Sequence, residues 1–290
     1  MLNKNIETFI GCGAEFDEAG IVIYGAPFDS TTSYRPGARF GSSAIRHESY
    51  GIETYSPYQD RDLEDISVFD SGDVEMCFGD AERALRALEE RAREIADAGK
   101  LPLMLGGEHL VTLAPVRVLS ERFPDMHIIH FDAHADLRED YLGAPLSHAC
   151  VIRRCHDILG DGRIHQFGIR SGERSEFRFG REHTDFHPLS LEGLSETVSE
   201  LSERNVPVYL TVDLDVLDPS EFPGTGTPEA GGVSFTELRD ALELVCRNCR
   251  VVGADLVELA PTLDSSGIST ALACKLTREV LLALSRDLHI

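Results

Sequence analysis

No stretch of this 290-residue sequence approaches about 18 uninterrupted apolar residues, so no transmembrane helix is expected. The opening residues, Met1-Leu2-Asn3-Lys4-Asn5, lack the basic-then-apolar order of a signal peptide. Positive charge is scarce: 27 Lys and Arg against 50 Asp and Glu leave a net charge of −23. Such a surface repels phosphate backbones, which argues against nucleic acid as a partner. It attracts cations, including metal ions and polyamine-like molecules, although acidity also serves plain solubility. Internal repeats and low-complexity linkers are missing. Cys246-Arg247-Asn248-Cys249 has no second C-x-x-C to complete a zinc site, so it is read as structural. Seven cysteines, an odd number in a long chain without a signal peptide, are expected to stay reduced, in the cytoplasm.

Apolar residues make up 42% of the chain, enough for a substantial core, and a single domain over residues 1–290 is expected. Strand-like and helix-like segments alternate. Strands are predicted at Ile21–Tyr24, Leu101–Leu105, Met126–Phe131, Arg163–Ile169, Pro207–Val212 and Arg250–Asp255. Helices are predicted from Asp80 to Ala98, with Gly99 as a stop, then up to Arg122, and over His148–Leu159 and Leu191–Arg204. Two more follow, one opened by the capping box Ser234-Phe235-Thr236-Glu237 and one over Ile268–Ser285. The alternation predicts an α/β fold: a three-layer αβα domain with a central, mostly parallel sheet. Ligands bind such sheets outside the carboxyl ends of the strands, so the residues just after each strand carry the functional information.

Three of those strand ends are dense in His and Asp. They are Gly106-Gly107-Glu108-His109, Asp132-Ala133-His134-Ala135-Asp136, and Asp213-Leu214-Asp215. In extended chain alternate residues share a face, which groups Asp132, His134 and Asp136, and likewise Asp213 and Asp215. Carboxylates crowded at the end of a buried sheet are costly to desolvate, and no Lys or Arg lies within these clusters. A pair of divalent metal ions is the natural counter-charge. Four Asp and two His suit Mn2+, with zinc or iron less favoured by so oxygen-rich a set. One D-x-H alone is more often a satisfied packing pair, but three such clusters, each after an apolar strand, are hard to explain that way.

These motifs resemble the ureohydrolase family, which includes arginases and agmatinases. The resemblance rests on Gly106–His109, His130–Asp136 and Asp213–Pro219. It extends to Gly25–Asp29, Arg39–Gly41, Gly224–Glu229 and Gly231-Gly232, and so covers nearly the whole chain. The cast is nearest to bacterial agmatinases, notably around Asp136 to Arg154. The resemblance implies two Mn2+ per subunit. His109, Asp132, Asp136 and Asp213 would hold one, Asp132, His134, Asp213 and Asp215 the other, and Asp136 would also orient the nucleophile. It implies that Glu258 binds a guanidinium, that His148 shuttles a proton, and that Thr227 lines the guanidinium pocket. It further implies hydrolysis of agmatine to putrescine and urea by a homo-oligomer, trimer or hexamer.

These residue types suit that reaction. A guanidinium carbon is a poor electrophile, and two metals lower the pKa of a shared water enough to supply hydroxide at neutral pH. Glu258 can pair with guanidinium nitrogens in a fork. His148, with an ordinary pKa near neutrality, can relay a proton. Glu108 is either a partner behind His109 or a plain helix-start acid. In the loop Leu137–Leu146, Glu139 and Asp140 would welcome the terminal ammonium of agmatine, while Arg138 keeps 4-guanidinobutyrate in play. Asp29, Tyr34 and Arg35 either shape the pocket or pack as a loop. Other substrates within the class are arginine, formimidoylglutamate and aminopropylagmatine. Metal-dependent amide deacetylation is a different class and would need a paired-histidine motif upstream, which the sequence does not show.

Overall fold

The computed structural model describes residues 2–77 and 79–285, so the expected domain 1–290 includes residues 1, 78 and 286–290 outside the described set. In chain order the regular elements are β1 (Ile21–Gly25), α1 (Gly41–Glu48), β2 (Tyr55–Ser56), β3 (Arg61–Asp62), β4 (Val68–Asp73) and α2 (Ala81–Asp97). Then come β5 (Leu101–Leu105), α3 (Leu113–Arg122), β6 (His127–Phe131), α4 (Val151–Leu159), β7 (Ile164–Ile169) and α5 (Arg174–His183). The chain ends with β8 (Asp185–Pro188), α6 (Leu194–Glu203), β9 (Pro207–Asp213), α7 (Phe235–Asn248), β10 (Arg250–Val257) and α8 (Ile268–Leu284). Eight of these strands form one sheet in the order β4-β1-β5-β10-β9-β6-β7-β8, parallel at every pairing. The hairpin β2–β3 stands apart.

Strands β1, β5, β6, β7 and β9 are buried on both faces, and alternate strand residues feed two cores. Ile21, Ile23, Leu103, Leu105, Leu210 and Val212 pack with Ile45, Val198, Leu242 and Leu276 of α1, α6, α7 and α8. Val22, Tyr24, Met104, Ile128 and Tyr209 pack with Leu88, Val116 and Ile152 of α2, α3 and α4. This is the expected three-layer αβα arrangement. Helix α2 shows how the pattern works: Leu85, Leu88, Ala92 and Ile95 are buried, and each fully buried Leu or Ile contributes about 1.5–3 kcal/mol. The Asp80 carboxylate caps it by accepting from Arg83 N at 3.0 Å, and Gly99 stops it with φ +74°.

The predicted strands all form, with ends shifted by a residue or two. The helix predicted from His148 begins at Val151 after a 3-10 turn over His148–Cys150, and the one predicted from Leu191 begins at Leu194. Six elements were not foreseen: the strands β2, β3, β4 and β8 and the helices α1 and α5. Strands β4 and β8 are the two edges of the sheet, and their mixed residues, VFDSGD and DFHP, carry no apolar run. Cys246 and Cys249 are buried free thiols, pushed upward by burial, in keeping with a structural role. No helix among the described residues is long and apolar enough to cross a membrane.

The chain winds outward from β1 to β4, returns to β5, then jumps to β6 and winds outward through β7 to β8. Strands β9 and β10 fill the gap. The winding reverses at the carboxyl ends of β5, β10, β9 and β6, which is where this fold class places ligands.

Candidate active site

All three His/Asp clusters emerge at that reversal. His109 follows β5, Asp132 to Asp136 follow β6, Asp213 ends β9, and Glu258 follows β10. Around His109 Nδ1 lie Asp132 Oδ2 at 2.9 Å, Asp136 Oδ2 at 3.2 Å and Asp213 Oδ2 at 3.3 Å. His134 Nδ1 lies 2.9 Å from Asp215 Oδ2 and 3.6 Å from Asp132 Oδ1. The six predicted residues are therefore brought together, with Asp132 shared between two groups. All are buried except His134, which is partly exposed.

The His109 ring is locked in one tautomer. Thr211 Oγ1 donates its single proton to Asp255 Oδ1 at 2.7 Å, so it can only accept from His109 Nε2 at 2.9 Å. Nδ1 is left with a bare lone pair, buried and without a hydrogen-bond partner, facing three carboxylate oxygens. That arrangement is repulsive unless a cation sits among them, so the residues fit a metal ion. The charges show the same demand. Burial lowers the His109 pKa, yet Asp132, Asp136 and Asp213 raise it well above the ordinary value. Burial, Asp215 and Asp132 push Asp213 well up, and burial with Asp132 pushes Asp136 up to about 7.

Beneath the cluster runs a row of polar side chains that sequence reasoning missed. Asp255 of β10, Thr211 of β9, His130 of β6 and Gln166 of β7 are in register across four adjacent strands. Thr112 Oγ1 and Tyr209 OH donate to Asp255 at 2.9 and 2.7 Å. Gln166 Nε2 donates to His130 Nδ1 at 3.1 Å, so His130 Nε2 carries the proton and donates to Asp132 Oδ2 at 2.8 Å. The row thus aims two residues of the cluster, His109 and Asp132. Each member is a buried polar residue inside a largely apolar strand, and that was the available signal. Arg170, also missed, donates to the carbonyls of Asp215, Val216 and Leu217 and to those of Gly168 and Glu229, which fixes the segment carrying Asp215.

Glu258 is buried, and its Oε1 accepts from His109 N at 2.7 Å. Burial and then Glu108 hold its pKa well above the ordinary carboxylate range. Glu108 is no plain helix-start acid. It accepts from Thr31 N at 2.8 Å, Thr31 Oγ1 at 2.5 Å and Thr32 Oγ1 at 3.2 Å, and Thr31 Oγ1 in turn accepts from His148 N at 3.0 Å. The preceding Gly107 lies so close to the same loop that a Cβ there would stand 1.9 Å from Phe28 O, which excludes every other residue type. Asp29 accepts from Gly37 N and Arg39 in that loop, and Arg35 donates to Thr225 O and Gly226 O. Those two residues brace the loops, Tyr34 is exposed, and Ser33 is the residue of this segment that faces the pocket.

The pocket is a cavity of about 280 Å3 whose wall includes His134, Asp136, His148 and Thr227. Thr227 Oγ1 lies 3.4 Å from Asp215 Oδ2. His148 differs from expectation: burial, with His134 and His109 nearby, lowers its pKa to about 4, and its Nε2 is buried without a partner. Glu139 and Asp140 do not face this cavity. They line an adjoining depression with Arg153 and Arg178, and Asp140 accepts from Gly143 N at 2.7 Å as a turn residue.

Residues 19–283 match the arginase family model. The agmatinase of Bacillus anthracis is 48% identical over 279 residues, 95% of this chain and 96% of its own. That of Bacillus subtilis is 46% identical over 281 residues, again 95% and 96%. The solved agmatine ureohydrolase of Thermoplasma volcanium superposes with a TM-score of 0.89 at 34% identity, covering 99% of this chain and 97% of that one. On fold, strand-end residues and sequence alike, this chain belongs to the arginase family.

Proposed function

We propose that the protein is an agmatinase that hydrolyses agmatine to putrescine and urea with two Mn2+ ions. The observation that carries this reading is the orphaned Nδ1 of His109 among three carboxylates, in a chain nearly half identical to named agmatinases. His109, Asp132, Asp136 and Asp213 would hold one ion, and Asp132, His134, Asp213 and Asp215 the other. Six ligands with four carboxylates favour Mn2+ over softer ions. When bound, the ions supply the nucleophile at neutral pH and offset the charge that develops on the substrate.

The remaining steps belong to the chain. Glu258 has one oxygen tied to His109 N, and a guanidinium beside it would restore the ionisation that burial disfavours. The pair orients the substrate carbon over the cluster. Thr227 closes the guanidinium end of the cavity, and Asp136 orients the nucleophile. His148 is neutral at pH 7, so its Nε2 can take the proton that the attacking water gives up and hand it to the departing nitrogen. A cytoplasmic homo-oligomer, trimer or hexamer, belongs to the same reading, supported by the family resemblance.

The deciding experiment incubates Mn2+-loaded protein separately with agmatine, arginine, 4-guanidinobutyrate and aminopropylagmatine and measures urea. Urea from agmatine, lost on chelation, is the expected result. Urea from one of the others alone overturns the substrate assignment, and none from any overturns the activity.

The polar row gives a second expectation. Thr211→Val keeps the shape of β9 but frees His109 Nε2 from its partner, and Mn2+ affinity should fall about 10–100-fold. Equilibrium dialysis measures it, and unchanged affinity would reduce the row to packing.

A further inference from the structure

Arg138 is the one cation in the loop after the metal cluster, and it is not free. Its Nη1 lies 3.1 Å from Glu173 Oε1, its Nε lies 3.3 Å from Glu176 Oε2, and its guanidinium covers the Tyr141 ring at 4.4 Å. All four residues line the same cavity as His148 and Thr227. Glu176 is buried and fixed: it accepts from Leu137 N at 3.0 Å and from Glu173 N at 2.8 Å, as part of the capping box of α5. Two carboxylates and one guanidinium leave this wall with one net negative charge. Asp136 and His134, where the guanidino group would react, line the same cavity.

An extended substrate in this cavity presents its tail to that wall. A cationic tail meets net negative charge. An anionic tail meets carboxylates and an arginine whose Nη1 and Nε already face Glu173 and Glu176. We propose that Glu173, by holding Arg138 against Glu176, determines the tail charge the enzyme accepts: it admits guanidino compounds with an ammonium tail and rejects those with a carboxylate tail. The proposal rests on the agmatinase reading and names the specificity device within it. Losing the Glu173 charge leaves Arg138 held by Glu176 alone and releases its Nη1 on the pocket wall, a guanidinium edge suited to grip a carboxylate.

Glu173→Gln is the test, because the amide oxygen can still cap α5. Urea release is measured with agmatine and with 4-guanidinobutyrate for the wild type, Glu173→Gln, Arg138→Gln and the double variant, each checked for an unchanged melting temperature. In Glu173→Gln the ratio of kcat/KM for agmatine to that for 4-guanidinobutyrate should fall by on the order of 10- to 100-fold, with activity on the anionic substrate rising in absolute terms. The gain should vanish in the double variant, because it is carried by Arg138. A wild-type agmatinase whose ratio does not move in Glu173→Gln overturns the proposal alone, as does a gain that survives loss of Arg138. A wild type that releases no urea from agmatine overturns the underlying reading and the proposal with it.

Discussion

Asp213→Asn is expected to lower urea release from agmatine by at least about 10^3-fold, because an amide cannot serve as an anionic bridge between two cations. Bound Mn2+, measured by elemental analysis after desalting, should fall from two per chain towards one or none. The same substitution should act oppositely on the chelated protein. Burial, Asp215 and Asp132 hold the Asp213 carboxyl well above its ordinary value, so the folded state disfavours its ionised form. A carboxyl raised on folding makes the native state hold a proton that the unfolded state has lost. Stability therefore declines as pH rises from the ordinary carboxylate value through the raised one. Asparagine removes that decline, and the chelated variant should melt higher than chelated wild type at pH 7. A chelated variant that melts lower would mean that the Asp213 hydrogen bond to Asp215 N, at 2.9 Å, outweighs the repulsion. Full activity in Asp213→Asn would remove Asp213 from the ligand set.

Glu258→Gln should cost about 2–5 kcal/mol of transition-state binding, or roughly 30- to 5,000-fold in kcat/KM. Its amide oxygen can still accept from His109 N, so the fold and the metal content should be unchanged. What goes is the negative charge opposite the guanidinium. Both kcat and KM should suffer, because the pair binds the group and also aims its carbon. A tenfold loss or less, with metal retained, would make Glu258 a structural acid that only braces the turn before His109.

The central strands were legible because each is a short apolar run between turn signals and each is buried on both faces. Edge strands escape that signal: every residue of β8 is only partly buried, and its Asp185 and His187 bond each other at 2.8 Å. The metal-binding candidates were legible for a different reason. Polar residues at alternate positions just past an apolar strand cannot be explained by packing. The row beneath them was harder. Thr211, His130, Gln166 and Asp255 lie on different strands, and what joins them is lateral register, which spacing along the chain does not reveal. The loop after Asp136 misled for a similar reason. Glu139 and Asp140 are near the site in sequence, whereas the carboxylates facing the cavity, Glu173 and Glu176, come from the start of α5. His148 lines the cavity, and its protonation depends on burial and on neighbouring histidines that only the fold assembles.

Two of the site residues have left-handed backbones: Asp136 with φ +52° and Glu258 with φ +67°. Such conformations cost L-residues about 1–2 kcal/mol, least for Asn, Asp and Gly. Directed selection for thermal tolerance would find this preference quickly. Glycine at 258 or at 136 would relax the turn and delete a carboxylate in the same step. Heat-resistant libraries of this enzyme should therefore accumulate inactive members at these two positions, and a screen that reads folding alone would enrich a binding scaffold at the expense of a catalyst.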